Sequence, residues 1–207
     1  MARPSAEGRG RNGDTAGRVL DAAERLVQTR GFNGFSYADV AAQLEITKAA
    51  LHYHFAGKAE LGQALIARYA GRFVEALAAI DASATDGPTK LQAYAGLYLS
   101  VLRDDRMCLC GMLAAEYRTL PEPIRATLIR FFDDNETWLE GVLAEGLAAG
   151  TLQFAGSARQ AARMLVGALE GAMLLARPYD DADRFESAAT QLINSFTTPV
   201  PAGRRRR

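Results

Sequence analysis

Long apolar runs are missing from this 207-residue chain, and so is most of what would mark a secreted protein. No stretch is long and apolar enough to cross a bilayer, and Met1 to Gly13 has no apolar core of the signal-peptide kind. The expected compartment is therefore cytoplasmic, with no membrane partner. There are only two cysteines, Cys108 and Cys110, too few for a disulfide framework. Strand-type alternation is scarce, whereas alanine, leucine, arginine and glutamate are common, which favours an all-α protein. Nothing marks a nucleophile turn, a phosphate-cradling glycine loop or paired metal carboxylates. No catalytic residue, cofactor or metal is expected; a helical enzyme is kept only as an alternative.

Charge of one sign is also missing, since 24 Lys/Arg balance 24 Asp/Glu. Its distribution is uneven. Residues 1–58 carry eight basic against six acidic side chains, and residues 59–203 carry twelve against eighteen. A slightly basic head on an acidic body fits a head that meets an anion.

What is present is helical periodicity. Residues 1–13, rich in Gly, Arg and Pro, read as a disordered basic arm. From Thr15 an apolar face forms (Val19, Leu20, Ala23, Leu26, Val27) and stops at Gly31. Ser36 with Asp39 reads as a capping-box variant for a second helix, and Thr47 as the N-cap of a very short third. "AGKAEL" opens a long fourth helix and Pro88 starts a fifth. A sixth is expected over Asp105 to Tyr117, and a seventh over Glu122 to Ala149, ended by Gly150. Ser157 with Gln160 caps an eighth, and Asp180 or Asp181 a ninth. The expected domains are the arm (1–13), a helix-turn-helix head (14–60), a helical ligand-binding and dimerisation body (61–198) and a flexible basic tail (199–207) ending in Arg204–Arg207.

The stretch "TKAALHYHFAGKAEL" holds both histidines, His52 and His54. Two residues apart on a helix, they point roughly 200° away from each other, so one metal ion cannot take both. Catalysis would need a nucleophile and an orienting partner for a histidine base. The context favours a third reading. Two short helices meet at a tight turn, with Leu51 and Phe55 facing inward and Lys48, His52 and Tyr53 facing out. Thr47 and Lys48 lie at a helix N-terminus, where N–H groups and the dipole favour phosphate or base edges.

The run "FSYADVAAQLEITKAALHYHFAGKAEL" resembles the N-terminal DNA-binding domain of TetR/AcrR-type transcriptional regulators, over about Thr15 to Leu61. The resemblance implies a homodimer whose recognition helices enter successive major grooves of a partly palindromic double-stranded DNA operator. A helical body would hold a small-molecule effector, and repression is the commoner mode. The expected DNA-binding residues are Ser36, Tyr37, Thr47, Lys48, Ala49, His52, Tyr53, His54 and Lys58. Two departures stand out: Glu45 lies where the family's turn usually has glycine, and His52 where it usually has tyrosine.

The resemblance places the effector pocket among the fifth to eighth helices, with Tyr94, Tyr98, Cys108, Cys110, Met112, Glu116, Tyr117, Phe131 and Trp138 as candidates. Cys108 and Cys110 either fill a core or sense thiol-reactive electrophiles. Two stripes complete the picture. Met164, Leu165, Ala168, Leu169, Ala172 and Leu175 form one; Phe185, Ala188, Leu192, Ile193 and Phe196 form the other. Both stripes either pack on their own body or build a two-fold interface, in which Met164, Leu165, Ala168, Leu169, Ala172, Leu192, Ile193 and Phe196 would meet their symmetry copies.

Overall fold

The computed structural model describes residues 6–197, with side chains from 15 onward. The expected tail at 199–207, like residues 1–5, lies outside the described residues. Nine α-helices appear among those described: α1 (Ala6–Arg30), α2 (Tyr37–Leu44), α3 (Lys48–His54), α4 (Lys58–Ser83), α5 (Gly87–Arg103), α6 (Leu109–Ala115), α7 (Glu122–Ala148), α8 (Ala158–Ala176) and α9 (Ala182–Asn194). The all-α expectation holds. A single antiparallel bridge, Leu152 with Thr197, is the extended pairing seen among them.

Two helices differ from their expected bounds. The backbone of α1 begins at Ala6, inside the stretch read as an arm. Adding residues to a formed helix costs far less than nucleating one, so a packed amphipathic segment can carry a polar extension. In contrast, α6 is shorter than the periodicity suggested. Asp105 sits in the left-handed region at φ 56, which no α-helix accommodates. Cys108 becomes the N-cap, and Tyr117–Thr119 form a separate 3₁₀ turn.

The chain divides into two compact units, which cut it differently from a boundary at 60/61. The first comprises residues up to Val74 together with Asp105–Phe132. It contains α1 to α3, the first part of α4, α6 and the start of α7. Val19, Ala23, Val27, Val40, Leu51, Leu61 and Ile66 are wholly buried in it. Gly62 on α4 permits a close approach: a Cβ there would lie 2.4 Å from Ile124 Cδ1 of α7. Glu24, buried on α1, accepts from both Arg68 (2.9 Å) and Arg72 (2.6 Å) of α4. A buried carboxylate is costly unless paired, and two guanidinium groups one helical turn apart pair it fully.

The second unit comprises Glu75–Asp104 and the chain from Asp133. Its core includes Leu91, Tyr94, Tyr98, Leu139, Leu143, Leu165, Leu169, Met173, Phe185, Ile193 and Phe196. The inner faces of α8 and α9 pack on each other and on α5. Arg103 of α5 pairs with Glu186 of α9 at 2.8 Å.

Candidate nucleic-acid interface

The head begins with a well-capped second helix. The Ser36 N–H and hydroxyl both donate to Asp39 Oδ2, at 2.7 and 2.6 Å. These hydrogen bonds hold the Asp39 carboxyl below its ordinary pKa. At the far end Glu45 takes φ 55, ψ 39, and the Ile46 N–H reaches back to the Ala41 carbonyl at 3.0 Å. That is a Schellman-type ending, which reverses the chain within a few residues. Thr47 then caps α3, its hydroxyl accepting from the Ala50 N–H at 3.1 Å. The tight turn expected between the two short helices is therefore built, with glutamate in the left-handed position.

Leu51 and Phe55 are buried, while Thr47, Lys48, Ala49, His52 and Tyr53 are exposed, Tyr53 to 74%. Of α3's seven residues only Leu51 is buried; Phe55, the C-cap, is the second anchor, Ala50 and His54 are half-buried, and the rest project outward. His52 is steadied from below. Its Nδ1 lies 3.2 Å from the Ala56 carbonyl, so a protonated Nδ1 donates there. Its ring packs 4.8 Å from that of Tyr37. Tyr37, half-buried, donates its hydroxyl to the Phe55 carbonyl at 3.1 Å. Burial, and then the Glu60 carboxylate, push the phenol up to about 12. Tyr53 and His54 meet edge to face at 5.3 Å. Ser36 is exposed and His54 half-buried. Eight of the nine expected residues, all but Lys58, thus lie on α3, at its N-cap or at the start of α2.

Lys58 departs from the role foreseen for it. Its ammonium lies over the rings of Phe35 (4.2 Å) and Phe32 (4.7 Å) and donates to the Phe35 carbonyl. Burial lowers its pKa, while Glu116 and Asp39 act in the opposite sense. A four-carbon stem lets the head turn inward onto aromatic faces rather than outward to phosphate.

The pocket candidates fall in both units. Tyr94 and Tyr98 hydroxyls lie 3.1 Å apart in the second unit, and Tyr94 donates to Asn135 Oδ1 at 3.3 Å. Trp138 stacks on Tyr94 and donates to Asp81 at 2.9 Å. Cys108, Cys110, Met112 and Phe131 belong to the first unit. Both cysteines are buried; Cys108 Sγ accepts from the Tyr69 hydroxyl (3.7 Å) and the Gly111 N–H (3.5 Å). Phe131 packs on Tyr69, Phe73 and Phe132.

Two pocket assignments need correction. Glu116 accepts from the Phe32 N–H at 2.6 Å and from the Asn33 N–H at 3.2 Å, so its carboxylate faces the head. Tyr117 is exposed, beside the Arg125 guanidinium, because the chain leaves α6 one residue before it. The interface set needs correction too. Leu165, Leu169, Ile193 and Phe196 are buried within the chain itself. Helix α8 carries apolar residues on two faces, which the stripe read from periodicity merged, whereas α9 turns its apolar face inward. The outward face of α8 holds Met164 (53% exposed), Gly167, Ala168, Gly171, Ala172 and Leu175 (63% exposed).

Sequence reasoning passed over Glu24, Gln28 and Asn135, the buried polar residues among those described. Glu24 left one trace, an acid on an apolar face matched by Arg68 and Arg72 at helical spacing. Asn135 left none.

Among the described residues no group of three or more His, Cys, Asp or Glu could hold a metal ion. No described helix is long and apolar enough to cross a membrane.

Residues 19–65 match the bacterial regulatory proteins of the tetR family, and residues 87–192 match the tetracyclin repressor-like C-terminal domain. The chain belongs to the TetR family. A TetR-family transcriptional regulator from Agrobacterium tumefaciens is 31% identical, covers 90% of this chain and 100% of its own, and superposes with a TM-score of 0.87. A second TetR regulator, from Legionella pneumophila, is 28% identical over 95% of this chain and all of its own, with a TM-score of 0.80. The transcriptional repressor DhaR from Mycobacterium sp. strain GP1 is 24% identical over 88% of this chain and 93% of its own. This TetR-family protein is thus a DNA-binding transcriptional regulator and not an enzyme. Its α2–turn–α3 is the helix-turn-helix of the family.

Proposed function

We propose that the protein is a homodimeric repressor that a small organic effector releases from a partly palindromic operator. The observation that carries the reading is the one-sided α3. Lys48, Ala49, His52 and Tyr53 are exposed beside a Thr47-capped N-terminus, while Leu51 and Phe55 anchor the helix to the head. A helix docked this way offers its N-terminal side chains to base edges and its flanks to phosphate. Ser36 and Tyr37, at the start of α2, and His54 flank the same surface.

One such helix reads few bases, so specific affinity needs a second head at fixed spacing, about 34–36 Å along the duplex. The outward face of α8 supports the pairing. It is apolar, and Gly167 and Gly171 have open space above them, so a second helix can approach closely. Repression follows the sense of the DhaR relative's name, and effector control is a population shift between two head spacings. The Tyr94–Tyr98–Asn135–Trp138 cluster supplies aromatic faces and hydroxyls suited to an organic effector.

Selection from a random duplex pool tests the reading. The enriched sequence is expected to contain two related half-sites whose centres lie one helical turn apart. Lys48→Ala should weaken binding to it and relax base preference at one half-site position. A pool with no enriched two-fold sequence would sink the proposal.

A further inference from the structure

We infer that Glu116 is a positioning residue, the side chain through which α6 fixes the DNA-reading helices. The inference rests on the operator-binding reading above. Gly31 is left-handed at φ 85, which aims the next two backbone N–H groups, those of Phe32 and Asn33, at one point. Successive N–H groups after a left-handed residue form an anion-binding nest. Glu116 fills it, with Oε2 2.6 Å from the Phe32 nitrogen and 3.2 Å from that of Asn33. The left-handed φ calls for glycine, and a Cβ at Gly31 would lie 2.7 Å from Glu116 Oε1 and push the carboxylate aside.

Glu116 is the C-cap of α6, 84 residues away in sequence from Phe32. A carboxylate at a helix C-terminus is disfavoured by the helix's own dipole. Its placement there is compensated by the remote nest, through charge-assisted hydrogen bonds. Neighbouring contacts run the same way. The Met107 N–H donates to the Gln28 carbonyl at 3.2 Å, and Arg106 to the Gln28 amide oxygen at 3.1 Å. Asn33 donates to the Thr119 hydroxyl at 2.7 Å. Residues 106–119 therefore brace residues 28–33.

The brace leads to the reading helices. Two residues beyond Asn33, the Phe35 carbonyl is held by Lys58 at the start of α4, and Ser36 then opens α2. The α1–α2 connection is fixed at one end by α6 and at the other by α4. Helix shifts at switching interfaces are about 1–2 Å. A shift of that size in α6 breaks a 2.6 Å hydrogen bond or carries the nest with it. Coupling of this kind is reciprocal, so DNA bound at α3 must also be felt at α6.

Hydrogen exchange on the full-length protein tests this, with and without the duplex that the wild type selects from the random pool. In the wild type, saturating duplex should slow exchange at Lys48–His54 and also at Leu109–Ala115. Glu116→Ala should keep the first response and lose the second. Glu116→Gln, which retains one acceptor oxygen, should give an intermediate response. A purely structural role would raise basal exchange in the turn yet leave the α6 response to DNA intact. An undiminished α6 response in Glu116→Ala overturns the inference, as does a wild type in which DNA protects α3 and never α6. No protection at Lys48–His54 in the wild type would defeat the operator-binding reading itself, and this inference with it. Should Glu116→Ala fail to fold by circular dichroism, Glu116→Gln decides by the same two responses.

Discussion

Glu45 holds a backbone conformation in which a Cβ crowds the following carbonyl, at a cost of about 1 kcal/mol or more. Glycine removes that crowding but makes the unfolded chain freer. The first effect is the larger at φ 55. Glu45→Gly is therefore expected to raise head stability by up to about 1 kcal/mol, read as a higher thermal midpoint. Lys58 calls for the opposite expectation. Its ammonium sits on two rings and a carbonyl, so Lys58→Ala should destabilise the head by about 1–2 kcal/mol. A loss of operator affinity without a loss of thermal stability would return Lys58 to the DNA-contacting set. Tyr37 gives a pH signature. Its phenol is pushed from 10.0 up to about 12, so the folded state keeps a proton that the unfolded state releases. The stability it contributes is present below pH 10 and lost as pH rises through about 12. In ultraviolet titration, Tyr37→Phe should remove one late-titrating tyrosine; an unchanged late phase would assign it elsewhere.

At the scale of elements, α3 is the one most in need of help. Seven residues are too few for a helix to persist alone. Thr47 satisfies one N-terminal N–H, and Leu51 and Phe55 supply the burial. Thr47→Ala should cost about 1 kcal/mol of head stability. Operator affinity should fall as well, since the helix must then be ordered on the DNA. Unaltered gel-shift affinity in a destabilised Thr47→Ala protein would show that α3 is held by its core contacts alone. Helix α6 makes a different point. Its N-cap is the buried Cys108, engaged by Tyr69 and the Gly111 N–H. An electrophile should meet either cysteine only after local opening, and labelling of the native protein should be slow.

At the scale of the whole molecule, assembly separates two kinds of leucine. Leu169 is buried within the chain, and Leu175 is exposed on the outward face of α8. Leu169→Glu should abolish folding, because a lone buried carboxylate has no partner there. Leu175→Glu should leave helicity and the thermal midpoint nearly unchanged but yield monomers in sedimentation. In a two-fold interface its charge would be desolvated beside its own copy. A dimeric Leu175→Glu protein would move the interface away from this face.

The contrast between those two leucines marks where sequence reading stops. Local signals were sufficient wherever a residue acts on its near neighbours. Ser36, Thr47, Ser157 and Asp181 open helices because each side chain meets an N–H or carboxylate within three residues. Leu51 and Phe55, four apart, sorted the faces of α3 and with them the candidate DNA contacts. Helical periodicity could mark apolar residues along α8. It could not say which side its own body would cover, since that depends on where α5 and α9 lie. The same limit governs the charged residues. Lys58 and Glu116 look like solvated or ligand-facing groups in the linear chain. Their partners, the rings of Phe32 and Phe35 and the amides of Phe32 and Asn33, lie 23 to 84 residues away and are brought to them only by the tertiary fold.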